Sequence, residues 1–111
     1  MKTKEQIEAL RVALLIARHE AEKLADVEDG GTCNMDTPYL FLVNWENAEI
    51  EEAFNLTGLR PYIRSTRQDI VHVIVFDACT GQGFRRTEMA RAFRNSMRES
   101  GYNAYVEYRM D

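Results

Sequence analysis

The chain has 111 residues, 45% of them apolar and 29% charged, with 6 Gly, 2 Pro and 2 Cys, which fits one modest domain and excludes a disordered tail, a collagen-like repeat or a disulfide scaffold. A net charge of −4 argues against a general nucleic-acid coat. No run reaches the roughly 18 apolar residues of a bilayer span, and Met1 to Gln6 lacks the apolar stretch of a signal peptide, so the expected location is the cytoplasm, with Cys33 and Cys79 as free thiols.

The first predicted element is a helix from about Lys4 to Asp29. Thr3 caps it, Gln6 completes a capping box, and Gly30-Gly31 stops it. Ile7, Leu10, Leu14, Ala17, Ala21 and Leu24 recur at steps of three and four, the seam of a helix that meets another helix lengthwise. Val12, Leu15, Ile16 and Ala25 form a second apolar stripe, so one side is expected on the domain body and another on a partner subunit. Residues 1–29 are accordingly read as an oligomerisation helix and 32–111 as an α/β sandwich, within a single domain.

Thr32 to Pro38 reads as a polar loop and Tyr39 to Val43 as a short apolar strand. A second helix is expected from the capping candidates at Asn44 to Asn47 to near Gly58. Tyr62 to Arg64 follows Pro61 as a strand, Ser65 to Gln68 forms a hairpin turn, and Ile70 to Phe76 is the strongest strand by β-branched content and should be central. After a loop at Asp77 to Gly83, a third helix runs from about Arg85 to Ser100, and Tyr102 to Tyr108 closes the chain as a strand. The order after the first helix is β-α-β-β-α-β, which predicts an α+β, ferredoxin-like two-layer sandwich.

Charge is distributed unevenly. Residues 60–98 carry eight Arg against Asp69, Asp77 and Glu88, a net of +5, whereas the remainder holds six basic and fifteen acidic residues, a net of −9. All eight basic residues are Arg, which favours bidentate recognition of phosphate or carboxylate; for Arg91, Arg94 and Arg98, spaced i, i+3, i+7, a solvated helix face is the simpler account. Within this sector Asp77 to Thr87 leaves a strand, passes Gly81 and Gly83 and enters a helix, a geometry that favours anions at unpaired N–H groups and a positive dipole end. Arg85 and Arg86 stand at that terminus, and Phe84 beside them is either a base-stacking platform or a hydrophobic staple under the helix. The spacing matches neither the phosphate-loop motif nor the dinucleotide fingerprint.

Elsewhere, Thr32 to Thr37 offers groups that read a ribose or base edge, or that simply cap and turn. His19 and Lys23, at i and i+4, make a small basic patch or part of a solvated face with Glu20 and Glu22. The spacing of His19 and His72 provides no metal site and nothing calls for a cofactor. No local motif pairs a Cys with a His, and nothing fixes carboxylate separations, so the expectation is a protein that is not an enzyme.

Asp29-Gly30-Gly31-Thr32-Cys33-Asn34-Met35-Asp36-Thr37-Pro38, Gly81-Gln82-Gly83-Phe84-Arg85-Arg86-Thr87, and the closing Gly101-Tyr102 with Tyr108-Arg109-Met110-Asp111 resemble the phage Thoeris anti-defence family of signalling-nucleotide sponges, over most of the chain after residue 28. The resemblance implies non-catalytic sequestration of a cyclic ADP-ribose isomer made by a TIR-domain enzyme, in the cytoplasm of an infected bacterial host. It also implies homo-dimers or larger homo-oligomers and, in some members, uptake of a cyclic trinucleotide at a separate site. By motif position Phe84 would stack the base, Arg85 and Arg86 would meet phosphates, Thr87 would belong to the same ligand site, and Asn34, Thr32 and Arg109 would contact ribose and base edges. His19 and Lys23 would serve the second site. No membrane and no long nucleic acid is implied as a partner.

Two other classes stay open: a small RNA-binding or regulatory ferredoxin-like module, and an enzyme acting on a phosphorylated metabolite. RNA binding predicts aromatic residues on an open sheet face. Tyr39, Phe41 and Phe76 lie in strands that read as too apolar to face solvent, which counts against it.

Overall fold

A computed structural model describes residues 1–28, 35–65, 69–81 and 83–108. Helix α1 spans Lys4–Glu22. The expected capping box is present: the Gln6 N–H donates to Thr3 Oγ1 and the Thr3 N–H to Gln6 Oε1. The helix ends seven residues earlier than the sequence predicts and runs on as turns through Asp26, closed by N–H donation from Leu24, Ala25 and Val27 to Ala21, Glu22 and Leu24. The predicted glycine stop lies outside the described residues.

The heptad seam of α1 is buried within this chain. Leu10, Leu14, Ala17 and Ala21 are fully buried in the common core, packed mainly against α3 (Gly83–Glu99) and also against α2 (Asn47–Phe54). The lengthwise helix partner that the spacing predicts is therefore the chain's own third helix. The second stripe does face outward, with Val12, Leu15 and Ile16 each between 41% and 48% exposed.

The remaining elements form a four-stranded sheet of β1 (Thr37–Val43), β2 (Tyr62–Ser65), β3 (Ile70–Ile74) and β4 (Asn103–Glu107). The spatial order is β2-β3-β1-β4, with every neighbouring pair antiparallel. The β-branched strand β3 is internal, as expected. It is shorter than predicted, because Phe76–Ala78 turns into a single 3-10 turn. The molecule is thus a mixed helix-and-sheet fold. Leu40, Leu42, Val71, Val73 and Ala104 point from the sheet into the core and meet Ile50 and Phe54 of α2 and Met89, Phe93 and Met97 of α3.

The opposite face of the sheet overturns one expectation. Side chains alternate along a strand, and the register sets Tyr39 beside Ile74 and Tyr105, and Phe41 beside His72 and Asn103. Tyr39 and Phe41 are half-buried, while Phe76 is 45% exposed. These aromatic residues line the outward face of the sheet, and Leu40 and Leu42 between them fill the core. An uninterrupted apolar run conceals which alternate set faces water.

Candidate functional site

The segment that enters α3 is built from unusual backbone. Gly81 and Gly83 both take positive φ, 72° and 61°, the left-handed region that glycine enters without a Cβ clash. Helix α3 begins at Gly83, two residues before the predicted start, so Phe84, Arg85, Arg86 and Thr87 occupy its first turn and a half. The free N–H groups and positive dipole end of a helix are located there.

The four predicted residues of this turn take different directions. Phe84 is 54% exposed, so it is not a staple beneath the helix. Arg85 is half-buried and its Nε donates to the Val27 carbonyl at 2.8 Å, tying α3 to the turns after α1. Arg86 is only 7% exposed, and its Nη2 donates to Thr37 Oγ1 at 3.0 Å. The Arg86 Nε is also buried and has no hydrogen-bond partner among the described residues. Thr87 is buried, and its hydroxyl lies 2.6 Å from Asp36 Oδ2 and 3.1 Å from the Gly83 carbonyl. These contacts send the two arginines to different anchors, Arg85 to Val27 and Arg86 to the start of β1, where the sequence reading had them side by side on one anion. Both remain at the same helix end as the exposed ring. Thr32, Asn34 and Arg109 lie outside the described residues.

Asp36, 2% exposed, sits where Arg86 and Cys79 also lie. Burial pushes the Cys79 thiol up to about 12, with the nearby guanidinium of Arg86 acting against that shift and Asp36 adding to it. A thiol so held is protonated at neutral pH and is a poor nucleophile. Sequence reasoning missed Asp36 as the carboxylate that receives Thr87. Only its position just ahead of a strand gave any signal.

The remaining predicted residues are placed less suggestively. His19 is exposed, and Lys23 pairs with Glu20 at 3.0 Å on the solvent side of α1. Arg18 turns away from that patch to Glu22 and to the Thr57 carbonyl. On the far side of α3, Arg91 Nε and Arg94 Nη1 each donate to the Tyr108 hydroxyl at 3.3 Å. The Arg91 hydrogen bond draws the Tyr108 phenol below its ordinary pKa. Arg98 donates to the Ala104 carbonyl and lies over the Tyr105 ring at 5.2 Å. The sequence pointed to these three arginines as a solvated face, and the structure adds that each one meets a tyrosine or a β4 carbonyl.

No protein-family model, no curated protein and no solved structure matches this chain. Among the described residues, no helix is long and apolar enough to cross a membrane.

Proposed function

We propose that this chain is a non-catalytic nucleotide-binding protein that captures a phosphate-bearing ligand at the start of α3. The observation that carries this reading is the pairing of an exposed ring, Phe84, with the buried guanidinium of Arg86 at one glycine-built helix entry, where the Arg86 Nε lacks a hydrogen-bond partner among the described residues. A buried, charged donor left without an acceptor costs roughly 1–3 kcal/mol or more, and an anionic oxygen would remove that cost. A stacked base on Phe84 adds about 1–3 kcal/mol.

The resemblance supplies the first ligand to try, a cyclic ADP-ribose isomer, and with it the role of a sponge that blocks TIR-dependent defence in the cytoplasm of an infected bacterial host. A homo-oligomer belongs to the same reading, with the outward stripe of Val12, Leu15 and Ile16 as its contact in place of the buried heptad seam. We read the β-α-β-β-α-β order, with β3 lying between β1 and β2, as a ferredoxin-like arrangement.

Isothermal titration with a cyclic ADP-ribose isomer, followed by heating and mass analysis of the released ligand, tests the reading. The expected result is saturable binding, recovery of the unaltered molecule, and at least tenfold weaker binding in Phe84→Ala. An altered product would establish turnover and remove the sponge. Full affinity in an Arg85→Ala, Arg86→Ala double variant would remove the site.

A further inference from the structure

The outward face of the sheet is independent of the α3 entry and carries a different chemistry. Two rows cross it side by side. Tyr62, Ile74, Tyr39 and Tyr105 are aligned from β2 to β4, and Arg64, His72, Phe41 and Asn103 lie beside them. The rings touch one another: Tyr39 and Tyr105 stack at 5.6 Å and 23°, Phe41 and His72 stack at 4.8 Å and 29°, and Tyr39 meets His72 edge-on at 4.5 Å. At the β2 edge Tyr62 and Phe76, 55% and 45% exposed, lie 5.8 Å apart. With strands about 4.8 Å apart, this aromatic band crosses roughly 14 Å.

Guanidinium groups bound the band on both sides. Arg64 projects from β2 in register with His72, and Arg98 lies over Tyr105 on the β4 side. Beyond it, Arg91 and Arg94 hold the Tyr108 hydroxyl. The outward positions of the four described strands include one carboxylate, Glu107. Rings between arginines suit bases between phosphates. Stacking tolerates any base because each has a π-face, and guanidinium groups neutralise the backbone. A second copy fits the same charges poorly. In an aligned face-to-face pair about a two-fold axis, arginine-bearing edges meet arginine-bearing edges, and like charges opposed across an interface are costly.

From this arrangement we infer that the outward sheet face binds a short single-stranded nucleic-acid segment, stacking two or three bases on Tyr39, Phe41 and Tyr105 with the backbone held between Arg64 and Arg98. The net charge of −4 limits the affinity and makes it local to this band. The site is separate from the α3 entry, so either one can fail without the other.

Fluorescence anisotropy of a fluorescein-labelled octauridylate RNA, with an octathymidylate DNA alongside, tests the inference on the intact chain. Expected are micromolar binding and a decline with salt corresponding to about two phosphates, a log–log slope of about −1.4. Tyr39→Ala and Tyr105→Ala should each weaken binding about fivefold or more, whereas Tyr39→Phe, which keeps the ring, and Leu56→Asn, on the distant turn after α2, should leave it unchanged. A saturating cyclic ADP-ribose isomer should not displace the RNA. Photo-crosslinking of a 4-thiouridine RNA to the unmodified protein needs no variant to fold, and its adducts should map to β1, β3 or β4.

Absence of binding up to roughly 100 μM, the weak end of non-specific affinity, would overturn the inference. So would unchanged binding in both alanine variants, displacement by the nucleotide, or crosslinks confined to the α3 entry. A dimer in sedimentation equilibrium that Tyr39→Ala and Tyr105→Ala dissociate would assign the face to a second copy instead.

Discussion

Thr87 shows how much one hydroxyl can hold in place. Its Oγ1 is shared between the Asp36 carboxylate and the Gly83 carbonyl, linking the first turns of α3 to the residue that precedes β1. A hydrogen bond to a buried carboxylate is worth about 1.5–3 kcal/mol. Thr87→Val keeps the shape and removes the hydroxyl, so it should lower unfolding stability by about 2 kcal/mol, measured by urea denaturation at pH 7. A loss below about 0.5 kcal/mol would show that Asp36 is held by its other contacts. The position of Thr87 on a helix was legible from sequence; its partner 51 residues away was not, because local pattern carries no information on which loop a side chain meets. The same holds for Arg86, whose contact with Thr37 spans 49 residues. The resemblance implies a ligand role for both by motif position, which says nothing of how their side chains are directed. In the folded chain, consecutive helix residues point about 100° apart.

At the level of elements, one carboxylate ties the residues ahead of α1 to the start of α2. Glu49 in the first turn of α2 accepts the N–H of Glu46 at 2.9 Å and the N–H of Lys2 at 2.7 Å. The Glu46 amide contributes most, then the Lys2 amide, to holding its pKa below the usual carboxylate value. A carboxyl whose folded pKa is depressed adds stability at pH values above the unfolded pKa of about 4.3, and that stability is lost as pH falls through the folded value. Between pH 6 and pH 3 the wild-type urea midpoint should therefore drop more steeply than that of Glu49→Gln. Parallel curves would remove Glu49 as the clasp. The helix periods and the N-cap of α1 were readable because a buried stripe recurs at 3.6 residues and a Thr-x-x-Gln box opens that helix, whereas the helix ends were not. The partner of the α1 seam was not readable, since a heptad repeat meets a helix of its own chain or of another copy with the same spacing. The outward face of β1 is hidden in the sequence for a related reason. A contrast between alternate positions tells the two faces of a strand apart, and Tyr39 to Val43 offers none; the phenol of Tyr39, which prefers one wet end, was the weak indication that its set faces out.

Across the whole molecule, burial disfavours the charged form of the acids it encloses. It pushes the Cys79 thiol up to about 12 and raises the Tyr39 and Tyr102 phenols, with Tyr108, lowered by Arg91, as the exception. An acid whose folded pKa lies above its unfolded value stays protonated in the native state after the unfolded chain has lost the proton. Its contribution is complete below the unfolded pKa, 9.0 for the thiol, and declines as pH rises towards the folded value. Cys79 alone should steepen the loss of stability by up to about 1.4 kcal/mol per pH unit above pH 9. Urea midpoints taken every half unit from pH 8 to pH 11 should fall for the wild type and fall less steeply for Cys79→Ala, whatever fixed cost the smaller side chain imposes on the core. Equal slopes would mean that the thiol reaches water in the native state, and the packing that encloses Cys79, Asp36 and Arg86 at the head of α3 would then be open enough to admit solvent to the Arg86 guanidinium as well. That outcome would remove the unmet hydrogen bond on which nucleotide capture at this helix end is argued.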